Sequence, residues 1–356
     1  MPRPVAAVLF AAALALPPGP PAAAQDRGVE EAFLTADGVK LRGVFHPSPR
    51  ADKQNDAVVV LLYPPGAGNT MDSNAAWAGL TKSLLGAGFH VFQFDWRGHG
   101  RSTDLDDAEL FWNTKNAATP TGPWNQKLVK GVRSRPIKIS ISAKPDFDPK
   151  YFPMYVNDLD AVRQHLDAKN DKMTINTSSF YLVGAGDTAA LGLLWQAAEW
   201  RRPAGGNGRP LRGEVRSPAG ADIAGSVWLG GTRSPAIKDK VFDAVKAAAP
   251  KLRDKNPMLF LYAEKDAKAA ADGKFFFDQV LVAKGSKALN PLNQTFLTVI
   301  KGTSATGANL LSAPGAEEEV LNYLAARQKD RASIDWKERR HTSPSAINLA
   351  QFGLYP

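Results

Sequence analysis

The chain has 356 residues, 44% of them hydrophobic, and carries 44 Lys and Arg against 35 Asp and Glu, a formal charge of +9. That length suits one large α/β domain or two small ones, with enough apolar residues to bury a substantial core. The absence of cysteine excludes disulfides, thiolate catalysis and Cys-ligated zinc.

Met1-Pro2-Arg3-Pro4 is a short basic start, Val5 to Leu16 is an apolar run, and Ala22-Ala23-Ala24 presents small residues. This pattern predicts a secretory signal peptide over residues 1–24 and hence an exported protein, periplasmic or extracellular. The run is too short to span a bilayer, and no later run is long enough. The positive balance points to anionic surfaces such as cell-wall polymers or lipid headgroups, and export argues against nucleic acid. Excess Lys and Arg also serve solubility alone.

Glu31 to Phe45 reads as a strand pair around the turn Ala36-Asp37-Gly38. Ala57 to Tyr63 is a continuous apolar run, as a strand buried on both faces should be. A Pro/Gly loop over 64–69 leads to an amphipathic helix over 75–85, and Gly88 to Phe94 is the next buried strand. From Thr103 to about Pro149 the periodicity fails over too long a stretch for an ordinary connection, so this is read as an insertion. A helix is expected from about Pro153 to Ala168, with Val156, Leu159, Val162 and Leu166 on one face.

Ser178 to Val183 is the central strand, followed by a glycine turn and a mostly apolar, hence buried, helix over 188–200. Strands are expected at 223–229, 257–262 and 295–300, with helices between them and a last helix over 317–326. The expected organisation is a signal peptide over 1–24, one domain over 25–328 with the insertion at about 103–150, and a polar tail over 329–356. Alternating strands and helices imply an α/β fold with a parallel sheet covered on both faces.

Four stretches resemble the α/β-hydrolase superfamily, and the resemblance spans roughly residues 30–327. Leu61 to Asn69 resembles the first loop, H-G-x-G, with Pro65 in place of its histidine. Asp95-Trp96-Arg97-Gly98-His99-Gly100-Arg101-Ser102 is similar to the D-x-R-G-x-G-x-S turn and is the most specific match. Gly184-Ala185-Gly186-Asp187-Thr188 resembles the G-x-S-x-G elbow, and Pro257 to Asp266 resembles the strand that ends in the triad acid. The resemblance implies a mostly parallel sheet of about eight strands with helices on both faces. It also implies a triad in the chain order nucleophile, acid, histidine.

On that alignment Gly186 occupies the nucleophile slot, Asp266 the acid slot and Thr306 the histidine slot. Only Asp266 keeps the family's residue type. Glycine cannot attack a substrate, and threonine is no general base near neutral pH. No histidine occurs between His165 and His341. His99 reads as a structural residue of its turn, and His46, His90 and His165 fall on strands and a helix. Asp187 is an alternative nucleophile, since shifting the elbow by one residue gives a small-x-Asp-x-small pattern; it also reads as a helix-start carboxylate. Ala67 and Asp187 are expected to supply the backbone N–H groups of an oxyanion pocket.

In the insertion, Lys127, Lys130, Arg133, Arg135, Lys138 and Lys144 follow one another with no acid between the first and last, a candidate docking patch for an anionic surface or a solvated face. Asp104 to Glu109 is acidic but lacks the spacing of a known cation loop. No metal or cofactor is called for. The expected function is an exported pseudo-hydrolase that binds a ligand or partner without catalysis. The alternative is a hydrolase of an ester or related bond with a displaced constellation such as Asp187.

Overall fold

The continuous apolar runs become the middle of one eight-stranded sheet. The computed structural model describes residues 28–50, 57–66, 69–71, 75–115, 120–132, 134–202, 217–281, 295–340 and 344–356. In chain order the elements are β1 (Val29–Leu34), β2 (Lys40–His46), β3 (Val58–Leu62), α1 (Ala75–Gly86) and β4 (His90–Asp95). The insertion carries the short helices α2 (Ala108–Trp112), α3 (Gly122–Leu128) and α4 (Ala143–Asp146). Then follow α5 (Val156–Asp171), β5 (Phe180–Ala185), α6 (Thr188–Glu199), β6 (Ile223–Leu229), α7 (Phe242–Lys255), β7 (Met258–Ala263), α8 (Ala267–Lys274), β8 (Phe296–Ile300) and α9 (Ala316–Asp330).

The strand order is β1-β2-β4-β3-β5-β6-β7-β8. β2 runs antiparallel to β1 and β4, and every pairing from β4 to β8 is parallel. Parallel neighbours need crossovers, and the crossover helices cover the sheet. That is why β3, β5 and β6 are buried along their whole length and read as unbroken apolar runs. α1 packs with α9, while α5, α6 and α7 lie side by side. The predicted sheet of about eight strands is therefore present, with β5 shifted two residues toward the elbow. Ser178 and Ser179 belong to its buried approach.

Close glycine contacts set the seat of α6. A Cβ on Gly184 would lie 2.5 Å from Thr188 Oγ1 and 2.7 Å from Trp228 Cζ3, so only glycine lets the helix return this near the sheet.

The turn after β4 is fastened from three directions. Arg97, fully buried, meets Asp37 of the first hairpin at 2.8 Å and Asp158 of α5 at 2.6 Å. Tyr151 donates to Asn125 Oδ1 at 2.6 Å, and Asn125 donates to Asp37 at 3.0 Å, which draws the insertion into the same cluster. Burial works against the charge on both carboxylates. At Asp37 the Arg97 charge outweighs it and holds the carboxyl below its usual range; at Asp158 burial wins and lifts it to about 6.

The segment after α9 also finds a seat. Arg339 pairs with Asp222 at 3.0 Å, Ser345 hydrogen-bonds Asp160 and Gln164, and Ile347, Leu349 and Phe352 are buried. Residues 331–340 and 344–356 thus lie against the domain expected to end at 328.

Candidate ligand pocket at the strand–helix elbow

The chain leaves β5 at Ala185 and enters α6 at Thr188, so two residues must reverse its direction. Gly186 does so in the left-handed region, with φ +59°. Its N–H donates to Leu229 O at 3.0 Å, and its carbonyl accepts from Thr232 N at 2.9 Å. These bonds fix the turn to the end of β6. A Cβ on Gly186 would point at Pro64 and lie 3.2 Å from its Cγ.

Gly186, Asp266 and Thr306 line one cavity of about 510 Å³, although they are far apart in sequence. Pro64, Thr232 and Lys268 share its wall. The floor is nearly bare of side chains, because Gly186, Gly230 and Gly307 all adopt positive φ there. Gly230 must be glycine for a second reason: a Cβ there would lie 2.8 Å from Gly307 N, whereas one on Gly307 would come no nearer than 3.8 Å to Ala185.

The half-buried Asp266 carboxylate is already employed. Asp266 is the N-cap of α8, and its Oδ1 accepts from Ala269 N at 2.9 Å. Thr306 is exposed at the start of a short 3₁₀ turn over Gly307–Ser312 and makes no side-chain cap bond. Lys268 pairs with Asp272 at 3.3 Å.

Asp187 behaves unlike a capping carboxylate. It stands at the N-cap of α6, but its backbone is helical (φ −74°, ψ −4°) and its side chain caps no helix N–H. A capping side chain needs an extended backbone to reach back over the first turn. Asp187 Oδ1 is buried without a hydrogen-bond partner. Burial raises the carboxyl to about 6, opposed only by its own backbone N–H and the distant charge of Lys268.

Among the described residues no histidine lines the cavity. His165 Nε2 lies 2.6 Å from Glu31, His90 Nδ1 accepts from Ser48 N, and His99 Nδ1 lies 3.0 Å from the Arg97 carbonyl. Burial lowers the pKa of both His46 and His99. Ala67, Arg133 and His341 lie outside the described residues, as do residues 1–27.

The predicted basic cluster is only partly free. Lys138 pairs with Asp146 at 2.6 Å, and Lys127 donates to the Pro356 carbonyl at 2.7 Å. The acidic run is engaged too, with Asp106 paired to Lys40 and Asp107 capping α2. Thr232 and Lys268 of the cavity wall escaped the sequence reading. Neither belongs to a motif, although Lys268 follows Asp266 closely enough to share its helix start.

No known family profile matches the chain, and no curated protein matches it. Solved structures similar to it include an esterase from Pyrococcus furiosus at 13% identity and TM-score 0.48, covering 88% of this chain and 95% of that one. Est1E from Butyrivibrio proteoclasticus, with ferulic acid bound, is 11% identical at TM-score 0.47 over 85% and 99%. A lidless α/β serine hydrolase from Xanthomonas campestris is 14% identical at TM-score 0.46 over 88% and 97%. By its own strand order, its antiparallel second strand and the left-handed strand–helix turn at Gly186, the chain has the α/β-hydrolase fold.

Proposed function

We propose that this chain is an exported, non-catalytic member of the α/β-hydrolase fold that holds a small ligand in the cavity over Gly186. The observation that carries the reading is the convergence of Gly186, Asp266 and Thr306 on one cavity in which neither a nucleophile nor a base stands at its slot. Acyl transfer needs an activated nucleophile beside a base, with donors for the oxyanion. Here the acid caps a helix instead. What remains is a walled cavity with hydroxyl, amide and ammonium groups, suited to holding a polar molecule.

The second reading, a hydrolase built on Asp187, draws on one observation: its buried Oδ1 has no partner. A carboxyl raised to about 6 is a poor nucleophile in its protonated fraction, and among the described residues the adjoining cavity is lined by no histidine to activate water and by Gly186 rather than Asp187.

Short acyl esters test both readings. The unmodified protein should turn over well below about 1 per second, the lower end of ordinary enzymes. Gly186→Ser alone should gain little, and Gly186→Ser with Thr306→His should exceed either single change, because the pair acts as a unit. Enzyme-like turnover by the unmodified protein overturns the first reading. Its disappearance in Asp187→Asn installs the second.

A further inference from the structure

The insertion after β4 carries a second surface with its own chemistry. Within residues 130–132 and 134–140 the insertion exposes Val132, Ile137 and Ile139, the last at 66%. Single exposed aliphatics are ordinary, but three within eight residues concentrate apolar surface on one loop. Exposed Lys130 and Arg135 flank them, and exposed Lys144 follows on α4; none of the three makes an ion pair among the described residues. Asp104 is bridged to Ser140 of the loop, and Asp146 holds Lys138. Lys127 binds the carbonyl of Pro356, and the preceding Tyr355 is 72% exposed.

The loop is braced rather than collapsed. Leu105 N donates to Ile139 O at 2.9 Å, Trp112 Nε1 to Lys138 O at 3.1 Å, and Lys130 N to Asp146 O at 2.9 Å. The loop is therefore tied to the domain at Lys130 and at Lys138 and Ile139, while Val132, Ile137 and Ile139 face water.

We propose that this loop docks the protein on an anionic lipid bilayer, with Ile137, Ile139 and Val132 entering the headgroup boundary and Lys130 and Arg135 meeting the lipid charge. An anionic polymer in water would use the cations and leave the aliphatics exposed. A bilayer takes both, since apolar burial and cation attraction add at its surface.

Flotation of the full chain with vesicles tests this. Phosphatidylglycerol–phosphatidylcholine vesicles should carry the protein, and phosphatidylcholine vesicles should not. Ile137→Ser with Ile139→Ser should lower the partition at least about ten-fold. Lys130→Gln and Arg135→Gln should each lower it about five-fold, and added salt should act in the same direction. Parent and variants are also compared without residues 1–24, the expected signal peptide, so that binding by that apolar run is separated from binding by the loop, and a loop-dependent preference for phosphatidylglycerol should survive its removal. Unchanged circular dichroism and unfolding midpoints show that the variants are folded. The proposal is overturned if neither vesicle binds, or if the isoleucine variant binds like the parent. If only the cation variants lose binding, the partner is a polyanion and the bilayer assignment fails.

Discussion

The turn after β4 and the turn after β5 stand at the same edge of the sheet and differ in how their polar groups are employed. In the first, Arg97 joins Asp37 and Asp158, and Asp95 takes the N–H groups of Met71 and Arg101 together with the Tyr63 hydroxyl. In the second, Gly186 offers no side chain and Asp187 carries a buried oxygen with no partner. The contrast separates two jobs that one motif set usually combines. Residues that fasten the hairpin, the insertion and α5 to the sheet are paired with one another, while the elbow presents a glycine and a carboxylate oxygen without a partner.

The largest expected effect falls on the paired turn. Arg97→Met leaves two buried carboxylates without their cation, which should cost about 3–5 kcal/mol in urea unfolding. A variant as stable as the parent would break the comparison. The glycines sharpen it. Gly100 and Gly186 both have positive φ, so alanine at either pays about 1–2 kcal/mol of backbone strain. A Cβ on Gly100 would also fall 2.3 Å from Asp95 Oδ2 and disturb the bond from Arg101 N, adding about 1–3 kcal/mol. On Gly186 it meets only the edge of Pro64. Gly100→Ala should therefore be clearly the less stable; equal midpoints would mean that the two turns are equally constrained.

Asp187 gives an effect of opposite sign. Its carboxyl sits near 6 in the folded protein against 3.8 ordinarily, so the folded state holds the proton more tightly. Stability from this group is complete below about pH 4, falls as pH rises through 6, and stays lost above it. Asp187→Asn should thus gain about 3 kcal/mol at pH 8 and almost nothing at pH 4. Asp158 is also raised to about 6, so the parent's pH profile mixes two groups. The difference between parent and variant isolates one. A flat difference across that range would place Asp187 in a solvated setting and remove the contrast.

Much of this architecture was legible because parallel strands buried on both faces leave unbroken apolar runs, as at Val58–Leu62 and Ile223–Leu229. Gly186, Asp266 and Thr306 came together because chain order fixes where each strand of such a sheet ends. What escaped was set by distant pairing. Nothing local marks Asp37, a turn residue, as the partner of Arg97 60 positions away. The segment beyond α9 reads as polar because its few apolar residues, Ile347, Leu349 and Phe352, follow no period. Asp187 read as a helix cap from its position, yet the helical ψ at that residue turns its carboxylate away from the N–H groups it would cap.

Asp266 supplies the smallest effect and the finest test. It alone keeps the residue type of a triad member, so a role in chemistry and a role in structure compete for it. Its Oδ1 is held by Ala269 N at 2.9 Å, which is a cap on α8. Loss of such a cap costs about 1 kcal/mol, and asparagine caps about as well as aspartate. Asp266→Ala should therefore lower stability by about that amount and Asp266→Asn should leave it nearly unchanged. Neither should alter ester turnover, since a carboxylate with no histidine to orient does no catalytic work. If Asp266→Asn were as destabilising as Asp266→Ala, the negative charge itself would matter, and the cavity facing Lys268 would be where to look for its partner.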